Sequence, residues 1–182
     1  SEDSSALIRL YLGGAFGSDP GDVNAYAAAS FYAVDRYASY KQDWGAFYES
    51  GGLVIADRYT TSNAVHQTSK LPAGERRAFL DWLFDFEYGK LGLPAPTRVL
   101  YLDMPTELTE QMMRRREQQT HTHADIHEQN DAYLRACREN AASVVDYCGW
   151  RHIDCADGSR ILPPEEIAAR VLREVEDLLV RG

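Results

Sequence analysis

The 182 residues are enough for one domain with its own core, and 45% hydrophobic with 26% charged residues is ordinary globular composition. A formal net charge of −9 argues against nonspecific nucleic-acid binding, which needs a basic surface to displace counterions. No apolar run approaches the ~18 residues of a membrane span, and the polar start Ser1-Glu2-Asp3-Ser4-Ser5 does not read as a signal peptide, so the expectation is a cytoplasmic protein with no membrane or nucleic-acid partner. Cys137, Cys148 and Cys155 form no C-x-x-C pair and read as reduced structural thiols.

In chain order, a helix is expected from near Ser4, stopped by Gly13-Gly14, followed by a loop to Gly21. Asp22 can cap a long helix over about 22–48, broken near Trp44-Gly45. After Gly51-Gly52, the continuous apolar run 53–56 suits a strand covered on both faces. A helix over 75–88 carries Phe79, Leu80, Leu83, Phe84 and Glu87 at core spacing. Next come a strand over 99–102, a helix over 106–116 with Pro105 at its start, and a polar stretch over 117–124. Asp125 and Glu128 read as a capping box for a helix to Tyr147. A strand over 152–155 and a helix over 163–180 complete the pattern, whose alternation predicts a three-layer α/β fold.

The 53–56 run ends in Asp57-Arg58-Tyr59-Thr60-Thr61-Ser62-Asn63. The carboxyl ends of parallel strands are where such sheets bind ligands. An arginine there can hold phosphate oxygens in a planar fork, and Asp57 can orient it or reach a hydrated Mg²⁺. Taken alone, the segment reads equally as an ion pair ending an ordinary strand. Upstream, Tyr32 and Arg36 are four apart and share a helix face, so a ring and a guanidinium can stack on a base and hydrogen-bond its carbonyl edge. The alternative is one more aromatic beside Tyr26, Phe31, Tyr37 and Tyr40, with Arg36 solvated. Arg114, Arg115 and Arg116 precede the polar stretch and read either as part of a lid over about 114–128 or as a solvated basic helix end. His121-x-His123 with Asp125, His127 and Glu128 is discounted as a metal site, because it lies on a hinge without a preformed scaffold.

With both segments in view, the chain resembles the thymidylate kinases. In that family a helix carries an aromatic four residues before an arginine, then a strand ends in Asp-Arg-(Tyr/His), followed by Ser and Asn or Gln. Here these are Tyr32, Arg36, Asp57, Arg58, Tyr59, Ser62 and Asn63. Pro94-Ala95-Pro96, the strand from Val99 to Asp103, the arginine-rich stretch and Asp125-Ile126-His127-Glu128 follow in family order, so the likeness covers almost the whole chain. The resemblance implies one domain over 1–182, a three-layer P-loop kinase fold around a parallel sheet, and phosphorylation of dTMP to dTDP by ATP and Mg²⁺. It implies that Tyr32 stacks on thymine, Arg36 contacts its O4, Arg58 holds the acceptor phosphate and Asn63 reads the base edge, with Ser62 and His66 also on the substrate side. Catalysis would involve Asp57, Arg58 and the lid residues Arg114, Arg115 and Arg116; Arg116, Asp157 and Gly158 would lie near ATP, and Asp57 near Mg²⁺. His66 stands where many members have tyrosine and Tyr32 where many have phenylalanine; both keep a flat ring. A homodimer is also implied, and the helix bearing Tyr26, Ala27, Ala28, Ala29, Phe31 and Ala33 has small residues suited to packing across subunits.

Transfer to an already anionic phosphate relies on alignment and charge neutralisation, which agrees with an arginine-rich constellation lacking a Ser-His-Asp or Cys-His set. Such a kinase needs the loop G-x-x-x-x-G-K-[ST], and no such string occurs in the 182 residues. The runs 53–56 and 99–102, apolar on both faces, call for strands on each side. The expectation is therefore an N-terminally incomplete kinase, without its first strand and phosphate loop and inactive as it stands. Two alternatives remain: a deoxynucleoside kinase of the same fold, whose neutral hydroxyl acceptor needs a carboxylate base, and a catalytically inactive dTMP-binding homologue.

Overall fold

The computed structural model describes residues 3–109, 112 and 130–179. They fall into two compact units, Ser1–Ala95 with Asp125–Asn140, and Pro96–Ala124 with Ala141–Gly182.

The first unit is helical. Helix α1, Ala6–Leu12, follows a short 3₁₀ turn and ends at Gly13. Helix α2, Ala25–Ser39, is capped by Asn24, whose side chain accepts from the Ala27 N–H at 2.9 Å. The expected cap, Asp22, instead pairs reciprocally with Asp19 around the turn Pro20–Asp22. Both are residue types that cap helices, and the one directly preceding the helical run takes the role. A π-helical turn, Tyr40–Trp44, interrupts the long helix before α3, Gly45–Glu49. A Cβ at Gly45 would lie 2.3 Å from the Tyr40 carbonyl oxygen, so the wide turn admits only glycine there.

Helix α4, Thr60–Thr68, packs on α2 and on α5, Ala73–Phe84, which continues as a π-helical turn, Asp85–Lys90. Ala25, Ala28, Ala29 and Ala33 of α2 are buried, with Ala28 against Tyr11 and Val23. These small residues thus allow close approach within the chain, and the pattern read as a subunit contact has an internal explanation. Tyr26 of α2 packs edge-on against Phe79 and Trp82 of α5, with ring centroids 5.0 and 4.7 Å apart.

One expectation is corrected here. Residues 53–56 form no strand, and Leu53 and Ile55 are 67% and 89% exposed rather than buried. A strand exists only where a neighbour receives its backbone N–H and C=O groups, and no strand among the described residues pairs with this run.

In the second unit, β1 (Leu100–Asp103) and β2 (Arg151–Asp154) pair in parallel, with Leu102 opposite Ile153 and Asp103 opposite Asp154. Parallel pairing joined by helical chain is the signature of an α/β fold, as expected. Among the described residues β1 has a partner on one side only, and Leu102 is 52% exposed, so the expected second neighbour is not found. The loop expected after β2 contains a tight hairpin, β3 (Ala156–Asp157) with β4 (Arg160–Ile161), turning at Gly158 with φ 58°. Helix α6, Asp131–Cys148, supplies residues to both units. In α7, Pro164–Leu179, Asp177 receives the Arg98 guanidinium at 2.7 and 3.0 Å. No helix among the described residues is long and apolar enough to cross a membrane.

Candidate functional site

Glu87 lies one helical turn beyond Leu83 on the core face of its element, and like Leu83 it is fully buried. A carboxylate there must be compensated, since burying an unpaired charge costs several kcal/mol. Arg36 supplies the countercharge through two parallel bonds, Nε to Oε2 at 2.7 Å and Nη2 to Oε1 at 2.6 Å. Thr60 donates its hydroxyl to Oε2 at 2.6 Å, and Asn63 donates Nδ2 to Oε1 at 3.3 Å and to the Ala29 carbonyl at 3.1 Å. Three elements, α2, α4 and the turn after α5, are therefore joined at one carboxylate. The Arg36 guanidinium also lies 5.9 Å from the centre of the Tyr59 ring. Burial, then the nearby Tyr88 and Glu87, raise the Tyr59 phenol above its ordinary pKa, while Arg36 opposes them.

Arg58 is held differently. It is exposed, and it is the one non-glycine residue with positive φ, 69°, among the described residues. That left-handed conformation costs an ordinary side chain about 1–2 kcal/mol. Arg58 immediately precedes Tyr59, the N-cap of α4, whose first turn has no acidic residue and no side-chain cap. Its Nε donates to Ser62 Oγ at 3.1 Å and its Nη2 contacts His66 Nε2 at 3.2 Å. Arginine only donates, so His66 Nε2 accepts and the neutral ring carries its proton on Nδ1. That nitrogen is 3.4 Å from the Tyr133 hydroxyl, which donates to the His66 carbonyl at 3.2 Å. Burial, chiefly, raises the Tyr133 phenol above its ordinary pKa, with smaller contributions from Cys137, Tyr11 and Tyr32. Tyr32 thus belongs to the same neighbourhood, half-buried against the cluster of Tyr11, Val23 and Ala28.

The structure brings Arg36 and Asn63 together at Glu87, and Arg58, Ser62 and His66 together at the start of α4; Tyr59 and Thr60 bridge the two groups. Arg36 is not solvated, as the alternative reading had it, but bonded to Glu87; Tyr32, one helical turn earlier, packs against the cluster of Tyr11, Val23 and Ala28. Nor does Asp57 orient Arg58: its carboxylate is exposed and has no partner among the described residues, because Ser62 and His66, one and two helical turns on, already meet the guanidinium. Asp157 and Gly158 lie in the β3–β4 hairpin of the second unit. Arg114, Arg115, Arg116, the rest of the lid over 114–128 and the discounted histidine cluster lie outside the described residues. In the second unit, ligand atoms of Asp103, His152 and Asp154 lie within 4.8 Å of one another at the strand ends.

Sequence reasoning missed Glu87, which it assigned to packing, and with it Thr60. The available signal was a charged residue at an apolar helical phase, since a carboxylate there requires a buried partner. Tyr133 carried no comparable signal.

The family model for thymidylate kinase matches residues 7–160. The chain is 29% identical over 133 residues to the thymidylate kinase of Mycobacterium tuberculosis strain CDC 1551 / Oshkosh, and equally to that of strain ATCC 25618 / H37Rv. Each match covers 70% of this chain and 59% of the relative, so the chain spans less than two thirds of the length of those proteins. The chain belongs to the thymidylate kinase family.

Proposed function

We propose that the protein is a nucleoside-monophosphate kinase that converts dTMP to dTDP with ATP and Mg²⁺, and that the first unit of this chain carries its dTMP site. The observation that carries this reading is the contrast between the two arginines. Arg36 is neutralised by Glu87, whereas Arg58 touches only the uncharged Ser62 and the His66 ring and has no carboxylate partner among the described residues. A site with one balanced and one unbalanced guanidinium suits a ligand with a neutral end and an anionic end. The anionic end belongs at Arg58, next to the start of α4, whose first turn has no acidic residue and no side-chain cap and would add the favourable end of the helix dipole. The neutral base belongs at Arg36 and Asn63, flanked by Tyr32, with His66 near the sugar.

Arg58 would align the acceptor phosphate and offset its charge, which is the main demand of phosphoryl transfer. Asp57, exposed and uncommitted among the described residues, suits a water-mediated contact with Mg²⁺. The described residues do not fit a cradle for the donor triphosphate, since the glycine-rich loop that supplies converging amides is not among the 182 residues. By the family resemblance, Arg114, Arg115 and Arg116 would meet the transferring phosphoryl group from the lid.

Titration calorimetry with dTMP and with thymidine tests the reading. A monophosphate site binds dTMP at least about tenfold more tightly than thymidine, in line with 1.5–3 kcal/mol for hydrogen bonds to a charged group. Equal affinity would favour a nucleoside site instead.

A further inference from the structure

The Glu87 carboxylate does more than balance Arg36. Its two oxygens and the Ala29 carbonyl are acceptors only, and the Asn63 side-chain amide faces both groups. Only the NH₂ end of the amide can satisfy them, so the amide has one orientation, with Nδ2 turned inward and Oδ1 left as an acceptor for other partners. Arg36 likewise commits Nε and one Nη2 proton to Glu87 and keeps its Nη1 protons and the second Nη2 proton as donors. A single buried carboxylate therefore fixes the position of a group that can only donate, Arg36, and with the Ala29 carbonyl turns the Asn63 amide so that its acceptor is the end left over.

We propose that Glu87 is a positioning residue that determines base specificity: it holds Arg36 and Asn63 as a fixed donor-and-acceptor pair that accepts a pyrimidine edge with a carbonyl beside an N–H. This rests on the reading of these residues as a nucleotide site. The thymine edge offers the O4 acceptor and the N3–H donor, which complement the pair. Cytosine offers the reverse, an amino donor at position 4 and a bare N3 acceptor, and so meets a donor with a donor and an acceptor with an acceptor. Glu87 need not touch the nucleotide. In a Glu87→Gln variant the new amide would present one NH₂ group among these donors; where it meets Asn63, the Asn63 amide must turn over and present NH₂ in place of Oδ1.

The test compares dTMP and dCMP binding to the full chain, wild type and Glu87→Gln, by titration calorimetry. The preference for dTMP should fall about tenfold or more in E87Q, the scale of one misdirected hydrogen-bond pair. In Glu87→Asp, which keeps an acceptor-only group, both nucleotides should bind more weakly while the preference is largely kept. A merely structural Glu87 would weaken both nucleotides together in E87Q and leave their ratio unchanged, which overturns the inference. Absence of any dTMP preference in the wild type would overturn the reading of the site and this inference with it. Should E87Q not fold, the wild type still decides. The Asn63 Nδ2 protons, held by Glu87 and Ala29, should exchange slowly and keep their NMR shifts when dTMP is added. Large dTMP-induced shifts of those protons would show the amide facing the other way and refute the proposal.

Discussion

Arg36 and Glu87 meet edge to edge across 51 residues of sequence, at 2.7 and 2.6 Å, with the carboxylate fully buried and the arginine side chain 16% exposed. Removing one member leaves a buried charge without its partner, which typically costs 3–5 kcal/mol, whereas replacing both with apolar groups is often neutral. Arg36→Leu should therefore lower unfolding free energy by about 3 kcal/mol or more, and Arg36→Leu/Glu87→Leu should recover part of the loss. Urea denaturation of both variants checks this. A double variant less stable than R36L by the full cost of a second independent loss would show that the two residues are not coupled.

Arg58 carries a backbone strain that glycine would relieve. Its side-chain contacts are exposed and contribute little to folding. Arg58→Gly should consequently be about 1 kcal/mol more stable than Arg58→Ala in urea melts, while both lose dTMP affinity alike. A less stable glycine variant would mean that the left-handed conformation is not strained in the folded protein.

Lys70 donates from Nζ to the Tyr11 hydroxyl at 2.8 Å and to the Val23 carbonyl at 3.2 Å. Burial pulls its pKa down from 10.5 to about 8, with Cys137 and Asp19 acting in the opposite direction. Between those values the unfolded chain holds the proton and the folded chain releases it, so this group's contribution to stability rises with pH. Below about pH 8 the full penalty of burying the ammonium is present. Relative to Lys70→Met, the wild type should gain on the order of 2 kcal/mol between pH 8 and 10.5. A stability difference that stays flat over that window would place the amine in a well-hydrated setting.

The helices were legible because apolar periodicity reports local structure; Tyr32 and Arg36 stood out by their four-residue spacing and Arg58 by its place after an apolar run, whereas Ser62 and Asn63 stood out only through the family resemblance. The partner of Arg36 was not legible. Glu87 is recognisable as a misplaced charge, but nothing local says that it will meet residues 51, 27 and 24 positions earlier. The run 53–56 was misread for a related reason: strand propensity is a property of the run, whereas a strand is a relation with a neighbour. The π-helical turns at Tyr40–Trp44 and Asp85–Lys90 depend on tertiary packing and leave no periodic signature.

The central claim, that Arg58 meets a phosphate while Arg36 meets a neutral base, is tested most directly by the side-chain N–H resonances of the two arginines under three titrations. Inorganic phosphate should shift Arg58 alone, thymidine should shift Arg36 alone, and dTMP should shift both. Phosphate acting on Arg36, or dTMP leaving Arg58 unmoved, would contradict the account.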